Sequence, residues 1–485
     1  VGFPPRPPTA RRLVAAAGLF LSLCSPWLGG CLPHGTAPAA GPTPATAGPV
    51  DVPGASQIAS APLGPLVARK WRLANGLNII TVPDPGARSI SYVTAFRVGS
   101  RDENAAGGQT GLAHLCEHLM FAGTRGGYPK GEFDRRLESA GGSANAMTSY
   151  DFTSYVDDIP PGLLADTVHL EADRMVNLEL GQGDVTAERD IVIEERLQEA
   201  QDDIDGELEE LVWAQAFRAH PYRWPVIGRM ADIKAVTKDN VCNFYQAHYR
   251  PGRAVVVLAG RFDEASALTL LASAYGAVPA GKSDDAPAIA PERAPEHEVR
   301  SAIERPVPAE RFMIGYPAPG LADADRPAYE LMDELLAGGP SARLPRALMV
   351  DRELASSVDA EVAQTRDPGL WTIVVQTRKG TPATAAEEIM QQEIARLIAQ
   401  PVSAEELDGA RNRLATAFWR DLSSSQGRAD ALGRYEVIAG DFRTLLDRGA
   451  AYARLTPDEV SRVARQYLGS GARSVVVAKP KGGAP

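Results

Sequence analysis

Two hydrophobic periods take turns along the chain. "GLNIITVPD" and "SISYVTAFRVGS" alternate or cluster their apolar residues over short runs and predict strands, and "SANAMTSYDFTSYVDDIP" predicts a strand pair. "GEFDRRLESAG", "PGLLADTVHLEADRMVN" and "DVTAERDIVIEERLQEAQDD" space their apolar residues three and four apart and predict helices, the last with Asp184 as its capping residue. "GLAHLCEHLMFAGT", residues 111–124, has the same helical period but carries two histidines and a glutamate. Strands and helices mix without the strict alternation of a parallel doubly wound fold. The expected class is therefore α+β, with largely antiparallel mixed sheets packed by α-helices.

The pattern recurs at long range. "TKDNVCNFYQAHYRPGRAVVVLAG", from Thr237, and "TPDEVSRVARQYLGSGARSVVVAKP", from Thr456, each show a threonine cap, a helix, a glycine-containing turn and a valine strand. A recurrence this distant predicts two homologous domains and not a short-period solenoid. Stretches rich in Pro and Ala divide the chain further. The expected boundaries are a signal segment at 1–31, a tether at 32–66, an N-terminal domain at 67–277, a linker at 278–298 and a C-terminal domain at 299–485.

Composition adds limits. The 485 residues carry a formal net charge of −11, which argues against a nucleic-acid partner, since such domains usually show a basic footprint. Arg11 and Arg12 precede an apolar run from Leu13 to about Leu23, too short to span a bilayer comfortably and of the length of a secretory signal core. It ends in Leu28-Gly29-Gly30-Cys31, which resembles a bacterial lipobox with Cys31 as the lipidated residue. The expectation is export to the periplasm of a Gram-negative bacterium, with contact to the outer membrane through a lipid anchor only. Cys24 and Cys31 belong to this segment, and Cys116 and Cys242 lie in apolar helical patterns and read as buried free thiols.

The chemistry concentrates in "HLCEH". Residues four apart share a helix face, so His114 and His118 can hold one metal through ring nitrogens. Glu117 borders that face, offset, and can address a water beside the metal without binding the metal. Zinc suits imidazole and carboxylate ligands and keeps a position open in catalytic sites. A carboxylate beside it can take a proton from water as that water attacks a carbonyl. The order is H-x-x-E-H, the reverse of the familiar H-E-x-x-H. Cys116 falls on the opposite face. A third ligand is required, and the acidic helix offers Glu188, Glu194, Glu195 and Glu199. Glu188 and Glu195, seven apart, share a face, and spacing alone leaves either as the ligand.

With these stretches the chain resembles the pitrilysin/insulinase family of zinc metallopeptidases, and its shorter branch similar to mitochondrial processing peptidase. The resemblance runs from about residue 70 to the C-terminus and includes "TGLAHLCEHLMFAGT", "YPKGEFDRRLESAGGSANAMTSYDFTSYVDDIP", "ERDIVIEE", "HPYRWPVIGRMADI" and "FYQAHYRPGRAVVVLAG". It implies a metalloendopeptidase acting on peptides or unfolded segments, with one Zn2+ per chain held by His114, His118 and Glu195. It further implies Glu117 as general base, Glu188 supporting the site, and Asn145 and Ala146 receiving the substrate as an added strand. A non-catalytic scaffold subunit of the same fold is the alternative, and its signature would be a broken metal motif. The second half departs from the family pattern. Where active members commonly carry an Arg and a Tyr, "LMVDRELASSV" has Met349 and Ser356, with Arg346 and Arg352 nearby. This implies a homologous partner subunit, as heterodimer or homodimer, that completes the site.

Overall fold

The computed structural model describes residues 52–281, 289–290, 292 and 297–482. The expected signal segment with Cys24 and Cys31, the tether up to residue 51 and most of the expected linker lie outside the described residues. Strand β1 (Ala55–Leu63) pairs antiparallel with β2 (Leu66–Leu73), so the end of the expected tether is folded. Leu63 and Val52 are buried, and Pro62 is tolerated because β1 is an edge strand.

Five further strands complete the first sheet: β3 (Asn78–Pro83), β4 (Ile90–Phe96), β5 (Ser143–Thr148), β6 (Thr153–Ile159) and β7 (Ala254–Gly260), in the order β1-β2-β3-β7-β4-β6-β5. The second sheet holds β8 (Val299–Arg305), β9 (Arg311–Ala318), β10 (Ala355–Val362), β11 (Gly369–Thr377) and β12 (Ser474–Pro480), in the order β10-β11-β9-β12-β8. Without the β1–β2 hairpin the two sheets have one topology: β3-β7-β4-β6-β5 matches β8-β12-β9-β11-β10. Each has a single parallel pair, β3 with β7 and β8 with β12, and is otherwise antiparallel. The repeated units sit at equivalent places. Helices Lys238–His248 and Pro457–Leu468 both start at a threonine capping box, with Thr237 and Thr456, and lead into β7 and β12. The class is α+β with two homologous domains.

Between β4 and β7 the chain forms α1 (Leu112–Leu119), α2 (Glu132–Ser139), α3 (Leu164–Arg174), α4 (Gln182–Asp202) and α5 (Ile204–Ala216), followed by helices Met230–Ala235 and Lys238–His248. Helix α4 begins two residues before the expected cap, and Asp184 falls in its first turn, where a carboxylate still favours the positive helix end. The halves exchange helices. Leu208, Val212 and Trp213 of α5 pack on Met313, Leu370 and Val476 of the second sheet. Ala429 and Leu432 of helix Ser425–Ala439 pack on Val93, Ala95, Val255 and Val257 of the first. The approach of α5 depends on a missing side chain: a Cβ on Gly315 of β9 would stand 2.6 Å from Val212 Cγ1. Polar groups close the seam between the halves. Arg101 Nη1 donates to Asp151 at 2.6 Å and Nη2 to Asp367 at 2.8 Å. Hydrogen bonding to His220, with the Arg101 charge, holds the Asp367 carboxyl at about 2.

The helix carrying H-x-x-E-H is anchored from outside. Leu112, Leu115, Cys116 and Leu119 form its buried stripe, at positions i, i+3, i+4 and i+7. Its capping position is Gly111, at φ 89°, where a Cβ would stand 2.6 Å from the Ile227 carbonyl oxygen. A glycine there has no side chain with which to cap the helix. The Glu103 carboxylate does so instead, accepting from Gly111 N at 3.0 Å and Ala113 N at 2.9 Å. Burial pushes Glu103 up to about 8, against the hydrogen bonds from Ala113, Gly111 and Trp224. Glu103→Ala leaves two buried N–H groups without this acceptor and is expected to cost about 2 kcal/mol of stability. Urea denaturation measures it. Glu103→Gln, which keeps one acceptor oxygen, should lose less, and an unchanged Glu103→Ala midpoint would remove Glu103 from this role.

Candidate metal centre

The apolar stripe of α1 turns His114, Glu117 and His118 away from the core, and all three are half-buried. The two imidazole rings are 4.8 Å apart between centroids and nearly perpendicular, at 78°. Helix α4 packs against α1 through Val185 and Val192. Its period then presents Glu188 and Glu195 to the histidines. His118 Nε2 lies 3.4 Å from Glu195 Oε2, and His118 Nδ1 lies 3.5 Å from Glu188 Oε2. One ligand atom from each of His114, His118 and Glu195 lies within 4.8 Å of the other two.

These residues fit a zinc ion. Tetrahedral zinc with bonds of 2.0–2.1 Å separates its ligand atoms by about 3.3 Å, close to the His118–Glu195 spacing. The choice that helix spacing left open is thereby narrowed. Glu195 stands at the nitrogen facing the cluster, and Glu188 stands at the other nitrogen of the same ring. A carboxylate at that second nitrogen fixes the ring's orientation and tautomer. Glu188 is itself held by Lys130 Nζ at 2.7 Å. Two carboxylates at the His118 ring also favour a cation. Burial works against a charged His118, but the hydrogen bonds to Glu188 and Glu195 outweigh it and raise the ring to about 9. The same bonds hold Glu188 below its ordinary value, and hold Glu195 there despite burial.

Glu117 does not join this cluster. Its Oε2 accepts from Thr148 Oγ1 at 2.5 Å, and burial raises its carboxyl above the ordinary value against that bond and the nearby His118. A carboxylate shifted upwards is better matched to proton exchange near neutral pH. Thr148 is the last residue of β5, and β5 is the edge of its sheet, with β6 as its strand neighbour. Asn145 and Ala146 lie on this edge strand, opposite Val156 and Tyr155 of β6. The Ala146 N–H donates to the Asn145 side-chain oxygen at 2.9 Å. Cys31 lies outside the described residues.

The second half brings no arginine–tyrosine pair to the expected positions. Met349 packs against the second core, and the Ser356 hydroxyl donates to the Gln376 carbonyl at 3.2 Å. Arg346 is exposed and 3.7 Å from Asp351, and Arg352 is exposed. Cys116 is buried and free as expected, whereas Cys242 is free but only half-buried, because its side of helix Lys238–His248 is partly open. Sequence reasoning missed Glu103, Lys130 and Thr148. Glu103 and Lys130 act across loops and carry no periodic signal. Thr148 could have been found, since it stands three residues after Asn145 in a predicted strand.

The family model described as "Insulinase (Peptidase family M16)" matches residues 78–229, and the one described as "Peptidase M16 inactive domain" matches residues 235–414. The zinc protease PqqE of Helicobacter pylori is 28% identical over 415 residues, covering 84% of this chain and 92% of that protein. The mitochondrial-processing peptidase subunit beta of Lentinula edodes is 25% identical over 416 residues, covering 82% of this chain and 86% of that protein. The crystal structure of a protease from Helicobacter pylori superposes with a TM-score of 0.80 at 27% identity, covering 85% of this chain and 99% of that one. With both models matched in order on two homologous α+β domains, the chain belongs to the pitrilysin/insulinase family, peptidase family M16.

Proposed function

We propose that this chain is a zinc-dependent endopeptidase that cleaves peptides or unfolded segments. The observation that carries the reading is the convergence of His114, His118 and Glu195 within bonding range of one cation, with Glu117 beside them and tied to the edge strand. A zinc ion held by those three residues, one per chain, would supply a Lewis acid for the scissile carbonyl and make water more acidic. The protein groups do the rest. An extended peptide adds to the free edge of β5 at Asn145 and Ala146, using main-chain hydrogen bonds that any sequence can supply. Glu117 takes the proton of the attacking water and returns it to the leaving amine. Glu188 keeps the His118 ring in register. A scaffold subunit without chemistry would have no need to keep this set of five side chains intact.

Glu117→Gln preserves size and one acceptor oxygen but removes the base. The expected outcome is a loss of at least about 100-fold in kcat with metal content unchanged. Peptide cleavage at the parental rate would contradict the mechanism.

We further propose that a second, homologous chain completes the substrate-binding side. Met349 and Ser356 supply neither a cation nor a phenol, and Arg346 is already beside Asp351. Purified alone, the chain is expected to cleave peptides slowly, and co-expression with a family homologue should restore rate. Full activity from the purified single chain would refute this.

A further inference from the structure

We propose that Thr148 is a positioning residue for Glu117, joining the strand that receives the peptide to the group that moves the proton. This rests on the peptidase reading above and assigns a role to a residue outside the metal cluster.

Thr148 Oγ1 has two acceptors within reach, Glu117 Oε2 at 2.5 Å and Thr153 Oγ1 at 3.4 Å. Thr153 donates its own proton to the Val98 carbonyl at 3.0 Å and is buried. A carboxylate is the stronger and nearer acceptor, so the single Thr148 proton goes to Glu117. The Thr148 hydroxyl thus holds Oε2 of Glu117.

Placement makes this more than local support. Thr148 is on β5 itself, two residues from Ala146, and its side chain falls on the α1 face, the same face as Ala146. The pairing of β5 with β6 fixes Thr148 opposite Thr153. Any peptide that adds to β5 is therefore aligned against the strand that sets the direction of the base. A base held by a neighbouring helix would not share its reference frame with the substrate. Errors near 1 Å in such alignments cost about 100-fold in rate.

The test compares Thr148→Val and Thr148→Ser in the full chain, with whatever partner gives activity. Val keeps the branched shape and removes the hydroxyl, and Ser keeps the hydroxyl. The proposal expects kcat to fall at least about tenfold in Thr148→Val, with KM within about twofold and metal content unchanged, and expects Thr148→Ser to recover most of the rate. High-resolution crystal structures of the parental chain and both variants provide a readout independent of turnover. Glu117 should occupy one orientation in the parental chain and Thr148→Ser, and a different or divided one in Thr148→Val. An unmoved Glu117 in Thr148→Val overturns the proposal, as does equal impairment of Val and Ser. An inactive parental chain would defeat the peptidase reading, while the position of Glu117 would still decide the role of Thr148.

Discussion

Two imidazoles one turn apart on a helix hold a cation poorly without an anionic group from elsewhere. The packing of α1 against α4 provides it. Val192, fully buried, sets the contact, and the seven-residue interval between Glu188 and Glu195 places one carboxylate at each nitrogen of His118. The arrangement concentrates negative charge in a half-buried place, which is unfavourable unless protons or a cation neutralise it. Hydrogen bonds to the two carboxylates raise the His118 ring to about 9 against its burial. The rest of the first domain holds the two helices in this relation. Glu103 caps α1 across a loop, and Lys130 fixes Glu188 from the segment before α2.

The second domain acts on this arrangement at a distance. It repeats the five-stranded topology of the first, but its sequence has no H-x-x-E-H and, among the described residues, it has no equivalent of the β1–β2 hairpin. Its structural contribution is the helix exchange. Helix α5 follows directly after α4 and is buried on the second sheet, so the end of the glutamate-bearing helix is tied to the other domain. Gly315 permits this close approach, and the Arg101–Asp151–Asp367 ion pairs reinforce the same seam.

Much of this was legible in the chain. The strands at β3 to β7, the helix with H-x-x-E-H and the duplicated Thr-capped unit all follow from local period and capping, because each is decided by residues close in sequence. The pair Glu188/Glu195 was visible as a helix face, but their division of labour was not. It depends on which nitrogen of His118 each one meets, and helix packing decides that. Residues 55–66 fall in the stretch 32–66 that reads as a tether because it is rich in Pro, Ala, Gly and Thr, yet pairing of β1 with β2 overrides that composition. Asp184 looked like a cap because its chemistry is right, while the helix simply starts one half-turn earlier. Glu103 could not be read at all, since it caps a helix from which a loop separates it.

The most direct measurement is of the metal itself. Metal analysis and X-ray absorption on the purified chain, with calorimetric zinc titration of Glu195→Gln and Glu188→Gln, would test whether His114, His118 and Glu195 form one site. The expected result is about one zinc per chain with two imidazole nitrogens bound. Glu195→Gln should lose most of the affinity, and Glu188→Gln should lose about 10- to 100-fold. A chain that binds no zinc, or a Glu195→Gln variant that binds it as tightly as the parent, would contradict the account.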